Sequence, residues 1–378
     1  MIVGIDASRA TAAHLTGTEG YAYHLIHALI NHAGRFGESR YRLRLYFNRF
    51  PTPGAFPDLP FVEPVIIPFP RLWTHLRLAW ELHRRPPDVF FTPAHVIPYT
   101  YRGRSVATIH DLGYHYFPEA HTRGQVSYLR WSTAHNGRRA RLIIADSQAT
   151  KEDLTRLYTL DPGKIKVIYP GLAPGLRPVT DRAELAAVQQ KYDIHPPYLL
   201  YLGTLQPRKN LVRLVEAYAQ LPAPRPQLVL AGKVGWLAQP ILTAVASNQS
   251  SITNNQLPIL LPGYVAEEDK AALISGAIGL LFPSLYEGFG FPVLEGQVCG
   301  VPVLAANTSS LPEIAGEGAL LVDPLDTAGL SAAIHRLIHD EALRQRLIQA
   351  GFANAQQFTW QRAAEQVLAL LEEVASGR

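Results

Sequence analysis

The sequence contains a single cysteine, Cys299, among 378 residues, so no disulfide can form within the chain. Because disulfides mark oxidising compartments, one lone cysteine favours a protein of a reducing one. No apolar run reaches the ~18 residues that span a bilayer. The first residues, 1–6, predict a strand rather than a signal peptide. We therefore expect a cytoplasmic protein without a transmembrane segment.

Several catalytic signatures are also absent. The sequence has no G-x-x-x-x-G-K-[ST] motif, no G-x-S-x-G motif and no Cys/His spacing typical of a metal site. Cys299 falls in a predicted helix and is interpreted as a buried side chain that only packs in the core. Metal-dependent and covalent serine mechanisms are thus disfavoured, and no metal or other cofactor is expected.

Charge is low in amount and uneven in distribution. Charged residues make up 17% of the chain and apolar residues 47%, which excludes global disorder. Residues 1–175 hold 21 Lys and Arg against 13 Asp and Glu, whereas 176–378 hold 14 against 18, which together give the net charge of +4. A basic first half suggests an anionic partner, and the alternative is a solvated, arginine-rich surface.

Short apolar runs bounded by turn residues predict strands throughout the chain. Many are continuously apolar, as expected where helices cover both faces of a parallel sheet. Helical patterns alternate with them, so we predict an α/β protein of two doubly wound, Rossmann-like domains facing a central cleft. The predicted strands are 2–6, 41–47, 62–67, 88–92, 105–110, 142–146, 164–169, 198–202, 227–231, 259–261, 279–283, 301–305 and 319–322.

Proline and glycine place the domain boundary. We predict an N-terminal domain over 1–175, a linker over 176–197 that contains a short polar helix, and a C-terminal domain over 198–355. Residues 356–378 predict a last helix, with Thr359 as its N-cap and an apolar face that packs back toward the N-terminal domain.

Residues 282–295 form a predicted loop with two carboxylates. A strand ends near Pro283, a glycine-containing loop follows, and Pro292 suits the start of a helix whose first turn holds Glu295. In open α/β sheets ligands bind beyond the carboxyl ends of the strands, where this loop must lie. Ionised Glu287 and Glu295 can accept hydrogen bonds from a hydroxyl-rich ligand. Alternatively, Glu295 complements the helix dipole and Glu287 is merely solvated.

A second strand end, over residues 202–211, is followed by a glycine turn and by a helix that begins near Asn210. Arg208 and Lys209 precede this helix, where positive charges oppose the helix dipole. Their position is explained if an anion lies there, held by backbone N–H groups and by both side chains. A diphosphate fits this description, and the alternative is a solvated turn.

Two weaker candidates lie in the first half. Gly17 precedes an amphipathic helix, in the position of a phosphate-binding turn, but its neighbours do not form G-x-G-x-x-G and an ordinary turn explains it equally well. His110 and Asp111 follow another strand, where a His-Asp pair could hydrogen-bond a sugar or shape the site. The alternative is a structural histidine.

Taken together, these segments resemble the retaining nucleotide-sugar glycosyltransferases of the GT-B fold in glycosyltransferase family 4, with similarity to its mannosyltransferase-like members. The resemblance covers essentially the whole chain. Residues 287–295 match the family's E-x7-E motif and are followed by the matching segment 299–303. Segments 203–211, 263–265 and 311–324 also match, in order.

The resemblance implies a role for each matching residue. Arg208 and Lys209 would hold the donor diphosphate. Glu295 would accept hydrogen bonds from the ribose hydroxyls, and Glu287 would bind a hydroxyl of the transferred sugar. Backbone amides that assist Glu287 would come from Gly288, Phe289 and Gly290, and Gly203 belongs to the same donor site.

The resemblance also implies contacts at the edges of this site. Tyr264 and Val265 would lie against the nucleobase, and His110 would approach the donor sugar from the N-terminal domain. Gly17 would sit close to the phosphates or the acceptor. Many family members have two glycines where this chain has Thr16 and Gly17, which weakens the assignment of Gly17.

The implied mechanism follows the charge that develops in the reaction. Cleavage of the anomeric C–O bond puts negative charge on the departing nucleoside diphosphate, so fixed cations favour the transition state. Arg208 and Lys209 can supply them without a metal, and no Asp-x-Asp motif is present. The family implies retention, and a front-face attack needs no enzymic nucleophile. Glu287 is therefore assigned to positioning, with covalent catalysis as the alternative.

The sequence identifies the donor, the acceptor and any membrane partner less completely than the fold. GDP-mannose and UDP-glucose-type donors both fit, with mannose favoured because 207–210 and 289–292 are similar to mannosyltransferase-like members. The acceptor is a glycan, a lipid-linked glycan or a small molecule, expected on the N-terminal domain. The basic, aromatic segment 71–80 could rest on an anionic membrane, which liposome sedimentation would test, or form an ordinary amphipathic helix.

Two other functions compete with this interpretation. A nucleotide-sugar epimerase or hydrolase of the same fold would act on the donor without an acceptor. A non-catalytic protein that binds sugar nucleotides or nucleic acid would explain the basic half. It would not explain Glu287 and Glu295, which would repel a polyanion, so no nucleic-acid partner is expected.

Overall fold

A computed structural model of the chain describes residues 1–11, 17–36, 40–69, 71–94, 96–250 and 259–377. Within these ranges the strands are β1 (Ile2–Asp6), β2 (Arg42–Phe47), β3 (Val62–Ile66), β4 (Val89–Thr92), β5 (Ser105–Ile109), β6 (Leu142–Ala145), β7 (Ile165–Val167), β8 (Tyr198–Leu202), β9 (Gln227–Ala231), β10 (Leu260–Gly263), β11 (Gly279–Phe282), β12 (Val303–Ala306) and β13 (Ala319–Val322). The α-helices are α1 (Thr18–Gly34), α2 (Ala79–Arg84), α3 (Gly113–Tyr116), α4 (Arg123–Arg139), α5 (Gln148–Tyr158), α6 (Arg182–Lys191), α7 (Leu211–Ala219), α8 (Gln239–Ser250), α9 (Glu267–Ser275), α10 (Phe291–Val298), α11 (Leu311–Ala315), α12 (Thr327–His339), α13 (Glu341–Ala355) and α14 (Trp360–Ser376).

The chain folds into two compact units. The first comprises Met1–Leu112, Arg123–Gly171 and Phe358–Arg378, and the second comprises Gly113–Thr122 and Leu172–Gln357. The last helix, α14, therefore belongs to the first unit, where it packs against α1. The short segment Gly113–Thr122 belongs to the second unit, where Tyr116 stacks on Tyr286.

The first unit is built on a parallel sheet with the strand order β3-β2-β1-β4-β5-β6-β7. Neighbouring residues of one strand point to opposite faces. Phe91 accordingly lies in the core beneath α1 and α14, whereas Phe90 lies in the core beneath α2 and α5. Because both faces are covered, the strands are continuously apolar, which explains why their sequences do not alternate.

The second unit repeats the arrangement, with the parallel order β10-β9-β8-β11-β12-β13. In both units the chain order along the sheet reverses beside the first strand, between β1 and β4 and between β8 and β11. Ligands of doubly wound sheets bind at such switch points, beyond the carboxyl ends of the strands. The predicted fold of two Rossmann-like α/β domains is confirmed.

Helices α7 and α14 begin where the sequence predicted them. The hydroxyl of Thr359 accepts a hydrogen bond from the N–H of Arg362 at 3.2 Å and caps α14. Buried apolar residues of α7 lie at i, i+3, i+4 and i+7, the spacing of one helix face: Leu211, Leu214, Val215 and Tyr218. Among the described helices, not one has both the length and the apolar character needed to cross a membrane.

Candidate active site

Two loops of the second unit meet at its switch point. After β8 the chain makes a 3-10 turn over Pro207–Lys209, and Asn210 takes a left-handed conformation with φ +60° before α7 begins. The loop after β11 runs alongside, and the N–H of Leu285 donates to the carbonyl of Arg208 at 2.9 Å. Since β8 and β11 are neighbours in the sheet, residues almost eighty positions apart come together here.

The centre of this site is Glu287, whose carboxylate is held by two cations. Lys209 Nζ donates to its Oε1 at 2.5 Å and Arg208 Nη1 to its Oε2 at 2.9 Å. Glu287 and Lys209 are only 7% and 8% exposed. Burial raises the pKa of Glu287, but the charges of Lys209 and Arg208 outweigh it, so the pKa lies below its ordinary value. The cluster therefore holds an ionised carboxylate and one net positive charge.

The loop after β12 fixes the backbone of Glu287. Its N–H donates to Ser309 Oγ at 2.9 Å, and the hydroxyl of Ser310 donates to the carbonyls of Glu287 and Phe289. Gly290, with φ +113°, then turns the chain into α10, and a Cβ there would lie 2.7 Å from a methyl group of Leu311. The carboxylate is thus placed by a rigid, hydrogen-bonded loop.

Glu295 is buried on α10 and paired with a residue of α9. Lys270 Nζ donates to its Oε1 at 2.6 Å, whereas its Oε2 accepts no hydrogen bond from the described part of the chain. Burial lowers the pKa of Lys270, but the charges of Glu295 and Glu267 outweigh it and raise the pKa above its ordinary value. The prediction that Glu295 lies in the first turn was wrong, because it is the fifth residue of α10. The helix dipole acts mainly within the first turn, so it does not explain this buried carboxylate.

The remaining predicted donor residues line neighbouring strand ends. Tyr264 follows β10, its ring is 42% exposed, and Lys233 Nζ lies 4.8 Å from the ring centroid, whereas Val265 is buried. Gly203 follows β8. A Cβ at position 232 would lie only 2.0 Å from the carbonyl oxygen of Gly203, so only glycine fits there. Gly288 and Phe289 lie in the loop between Glu287 and α10, where Phe289 is 5% exposed.

In the first unit, His110 follows β5 and lies beside the switch point. Its Nε2 lies 2.9 Å from the carbonyl of Pro93, which only accepts, so Nε2 carries a proton. Its Nδ1 lies 2.6 Å from Asp146 Oδ2. Burial lowers the pKa of His110, but the charge of Asp146 outweighs it and raises the pKa. His110 is thus held at both ring nitrogens, by the carbonyl of Pro93 and by the buried carboxylate of Asp146.

The sequence did not indicate which residue holds the His110 ring. That residue is Asp146, at the end of the neighbouring strand β6. Gly17 precedes α1 and its carbonyl accepts from the N–H of Tyr21 at 3.0 Å. Thr16 lies outside the described residues.

A cavity of about 400 Å³ opens at the carboxyl edge of the first sheet. Its lining combines cations with aromatic rings: Arg9, Arg49, Arg71, His75, Phe69, Trp73 and Tyr128.

The basic, aromatic segment 71–80 supplies part of that wall. Trp73 is buried, and its indole N–H donates to the carbonyl of Ile67 at 2.8 Å. Leu72, Leu76 and Trp80 are each at least half exposed. Contact of this segment with a membrane stays a prediction.

Comparison with known proteins identifies the family. The model "Glycosyl transferases group 1" matches residues 184–354, and the model "Glycosyltransferase Family 4" matches residues 15–176. O-antigen chain mannosyltransferase B of Escherichia coli is 33% identical over 310 residues, which cover 81% of this chain and 80% of that protein. The chain belongs to glycosyltransferase family 4. It is a glycosyltransferase, as the sequence motifs predicted.

Solved structures place this family-4 glycosyltransferase in the GT-B fold. Sucrose-phosphate synthase of Thermosynechococcus elongatus matches with a TM-score of 0.76 at 22% identity, covering all of both chains. HepE of Anabaena, in complex with UDP and glucose, matches with a TM-score of 0.73 at 19% identity, covering 98% of this chain and 99% of that one. The predicted fold class is confirmed.

The sequence prediction missed several residues that hold the site of this family-4 enzyme. Ser309 and Ser310 follow β12, and a polar run directly after a buried strand is the signal that could have found them. Asp146 follows β6 in the same way. Lys270 lies on a helix with an acidic first turn, and its sequence gives no sign that it pairs with Glu295.

Proposed function

We propose that the chain is a retaining mannosyltransferase that moves mannose from a nucleoside diphosphate to a glycan acceptor without a metal ion. The observation that carries the proposal is the hydrogen-bonded cluster of Arg208, Lys209 and Glu287 at the switch point of the second unit. The relation to an O-antigen chain mannosyltransferase supports mannose as the sugar and a polysaccharide chain as the acceptor.

The net positive charge of the cluster suits a leaving diphosphate. Negative charge grows on the departing phosphate as the anomeric C–O bond breaks, and preorganised cations stabilise that charge more than the ground state. Arg208 offers the planar fork that binds phosphate oxygens and Lys209 a point charge. In this proposal two side-chain cations supply what a divalent metal would otherwise provide.

Glu287 is suited to position the transferred sugar. A carboxylate with a lowered pKa stays ionised and can only accept hydrogen bonds, which matches a sugar hydroxyl. Both of its oxygens are already bonded to cations, which reduces its strength as a nucleophile. We therefore infer front-face attack, in which a phosphate oxygen takes the acceptor proton and no covalent glycosyl-enzyme forms.

Other donor contacts follow from the resemblance. Tyr264, with its exposed ring, and the adjacent Val265 are proposed to contact the base, while His110 contacts the sugar. The amides of residues 288–290, together with Gly203, border the phosphate and sugar, and Gly17 borders the phosphate or the acceptor.

Glu295 is proposed to bind the ribose through Oε2, while Lys270 holds Oε1. Replacing Glu295 with glutamine should raise the donor KM ~10-fold with little change in kcat, because a charge-assisted hydrogen bond made equally in ground and transition states is weakened. Steady-state kinetics at varied donor concentration would measure this. Glu317→Gln, an exposed residue of the same unit, is the matched control. A fall confined to kcat would contradict the ribose role.

The acceptor is proposed to bind in the basic, aromatic cavity of the first unit. Aromatic rings suit the apolar faces of sugars, and the arginines suit hydroxyl or phosphate oxygens. Arg49→Gln should raise the acceptor KM ~10-fold, since one charged hydrogen bond is lost, and leave the donor KM unchanged. Arg42→Gln, an exposed residue at the other end of β2, is the control. An unchanged acceptor KM would place the acceptor elsewhere.

A donor-turnover assay tests the proposed function as a whole. The purified chain is incubated with GDP-mannose or UDP-glucose, with and without a mannose-ended glycan, and the released nucleoside diphosphate is measured. We expect release from GDP-mannose that depends on the acceptor, survives chelation with EDTA and yields a product of unchanged anomeric configuration by NMR. Turnover that does not depend on the acceptor would instead indicate a hydrolase or epimerase.

A further inference from the structure

A second cationic cavity lies at the opposite edge of the first sheet. It measures about 560 Å³ and is bordered by the first residues of β5 and β6, Ser105 and Leu142. His110 and Asp146 stand at the other ends of these two strands. With ~3.3 Å per residue, the cavity is roughly 15 Å away from them. It is therefore separate from the groups assigned to glycosyl transfer.

Six cations line this cavity: Arg102, Arg104, Arg138, Arg139, Arg141 and Lys164. Two carboxylates, Asp161 and Glu373, also border it. Among the residues that the structure describes, no ion pair involves any of the six cations. The six positive charges thus form a cluster without salt bridges to described residues.

Helix ends account for only part of this charge. Arg104 donates to the carbonyl of Ala375 at the end of α14, and Lys164 Nζ donates to the carbonyl of Gly137 in the last turn of α4 at 2.6 Å. Each helix C-terminus carries about half a negative charge. Together with the two carboxylates, the helix ends offset about three of the six positive charges, which leaves roughly three uncompensated.

The cations also repel each other, which disfavours their charged forms. Burial lowers the pKa of Lys164, and the charges of Arg141 and Arg139 lower it further. Burial and the charge of Arg102 likewise lower the pKa of Arg139. A bound anion would relieve this repulsion.

Two buried polar groups at the cavity have no hydrogen-bond partner in the described part of the chain. Ser105 is 1% exposed and lines the cavity, and its hydroxyl has no hydrogen-bond partner among the described residues. The same holds for Nε of Arg139, whose Nη2 donates to the carbonyl of Tyr101 at 2.6 Å. A hydroxyl and a guanidinium N–H are donors that phosphate oxygens accept.

We propose that this basic cavity binds a ligand bearing two or more phosphate groups, at a site distinct from glycosyl transfer. The guanidinium fork matches phosphate oxygens bidentately, which explains why five of the six cations are arginines. The phosphates belong to a soluble polyphosphorylated molecule or to lipid head groups, which share this chemistry.

Titration calorimetry with inorganic tripolyphosphate at low salt tests the proposal on the full chain. The test variant is R102Q/R141Q, because both arginines are exposed and neither side chain forms a hydrogen bond with a described residue, so the fold should be unaffected. Its affinity for tripolyphosphate should fall at least ~10-fold, since each lost charged contact is worth about one factor of ten. Arg362→Gln, which removes an exposed cation elsewhere in the first unit, should bind like the wild type.

Lys209→Ala separates this cavity from the donor site. Binding that persists in Lys209→Ala and is lost in R102Q/R141Q supports the cavity. Loss only in Lys209→Ala, equal isotherms for R102Q/R141Q and wild type, or no binding by the wild type would overturn the proposal. Co-sedimentation with phosphatidylglycerol vesicles that R102Q/R141Q abolishes would identify the phosphates as lipid head groups. Tripolyphosphate binding without vesicle binding would identify a soluble ligand.

Discussion

Lys209→Ala should lower donor-dependent turnover ~10²–10³-fold while the chain stays folded. The substitution takes the cluster of Arg208, Lys209 and Glu287 from one net positive charge to none. A leaving diphosphate then loses a preorganised cation, and removing one such donor typically costs that factor in kcat. Arg208→Ala should act in the same direction. Steady-state kinetics with saturating acceptor would measure both effects.

The control for Lys209→Ala is Arg336→Ala, which removes an exposed cation from α12 of the same unit. It should leave kcat and both KM values within twofold of the wild type. Circular dichroism confirms that each variant is folded at the assay temperature. Near-normal turnover by folded Lys209→Ala would refute the phosphate role.

Glu287→Gln should lower kcat ~10–100-fold without raising the donor KM. The amide loses a charge-assisted hydrogen bond to the transferred sugar, which is worth about one to two factors of ten. The cluster meanwhile gains a net positive charge, so binding of the diphosphate is maintained or strengthened. A fall in kcat with a constant or lower donor KM distinguishes this role from general damage to the site.

The same variant should lower the free energy of unfolding by about 3 kcal/mol at neutral pH, because it leaves buried Lys209 and partly buried Arg208 without their carboxylate. The pKa of Glu287 is lower in the folded than in the unfolded chain. Its stabilisation is therefore fully present above the unfolded value, near pH ~4.3, and is lost as the pH falls through the folded value. The stability difference between wild type and Glu287→Gln should thus narrow as the pH falls below ~4.3.

Denaturant unfolding at pH 7 and pH 3.5 would measure this convergence. Glu317→Gln, at an exposed position of the same unit, should match the wild type at both pH values. A stability difference that is equal at pH 7 and pH 3.5 would contradict the ion pairing of Glu287. A raised donor KM with an unchanged kcat would contradict its role at the sugar.

The strands were predictable because their pattern is local. Continuous β-branched and apolar runs bounded by proline and glycine gave every described strand to within two residues at each end. The position of the site followed from the same pattern, since polar residues after a buried strand must lie at the carboxyl edge of a parallel sheet. The sequence placed Arg208, Glu287 and His110 after strands in this way, and the structure has them there.

The pairing of charges was not predictable, because it depends on which strands are neighbours. In the sequence, Arg208 and Glu287 lie in two separate loops, which were assigned to phosphate and to sugar respectively. They form an ion pair in the structure because β8 and β11 are neighbours in the sheet. The same limitation hid Asp146, which reaches His110 from the adjacent strand β6. Arg208 and Lys209 also depend less on an external anion than their sequence indicated, because Glu287 supplies one negative charge.

The most direct test of the central claim is a crystal structure of the chain with GDP. The claim predicts phosphate oxygens within ~2.9 Å of the Arg208 guanidinium and of Lys209 Nζ, with the ribose on Glu295. GDP bound elsewhere, with Arg208 and Lys209 making no contact to its phosphates and paired only with Glu287, would contradict the claim.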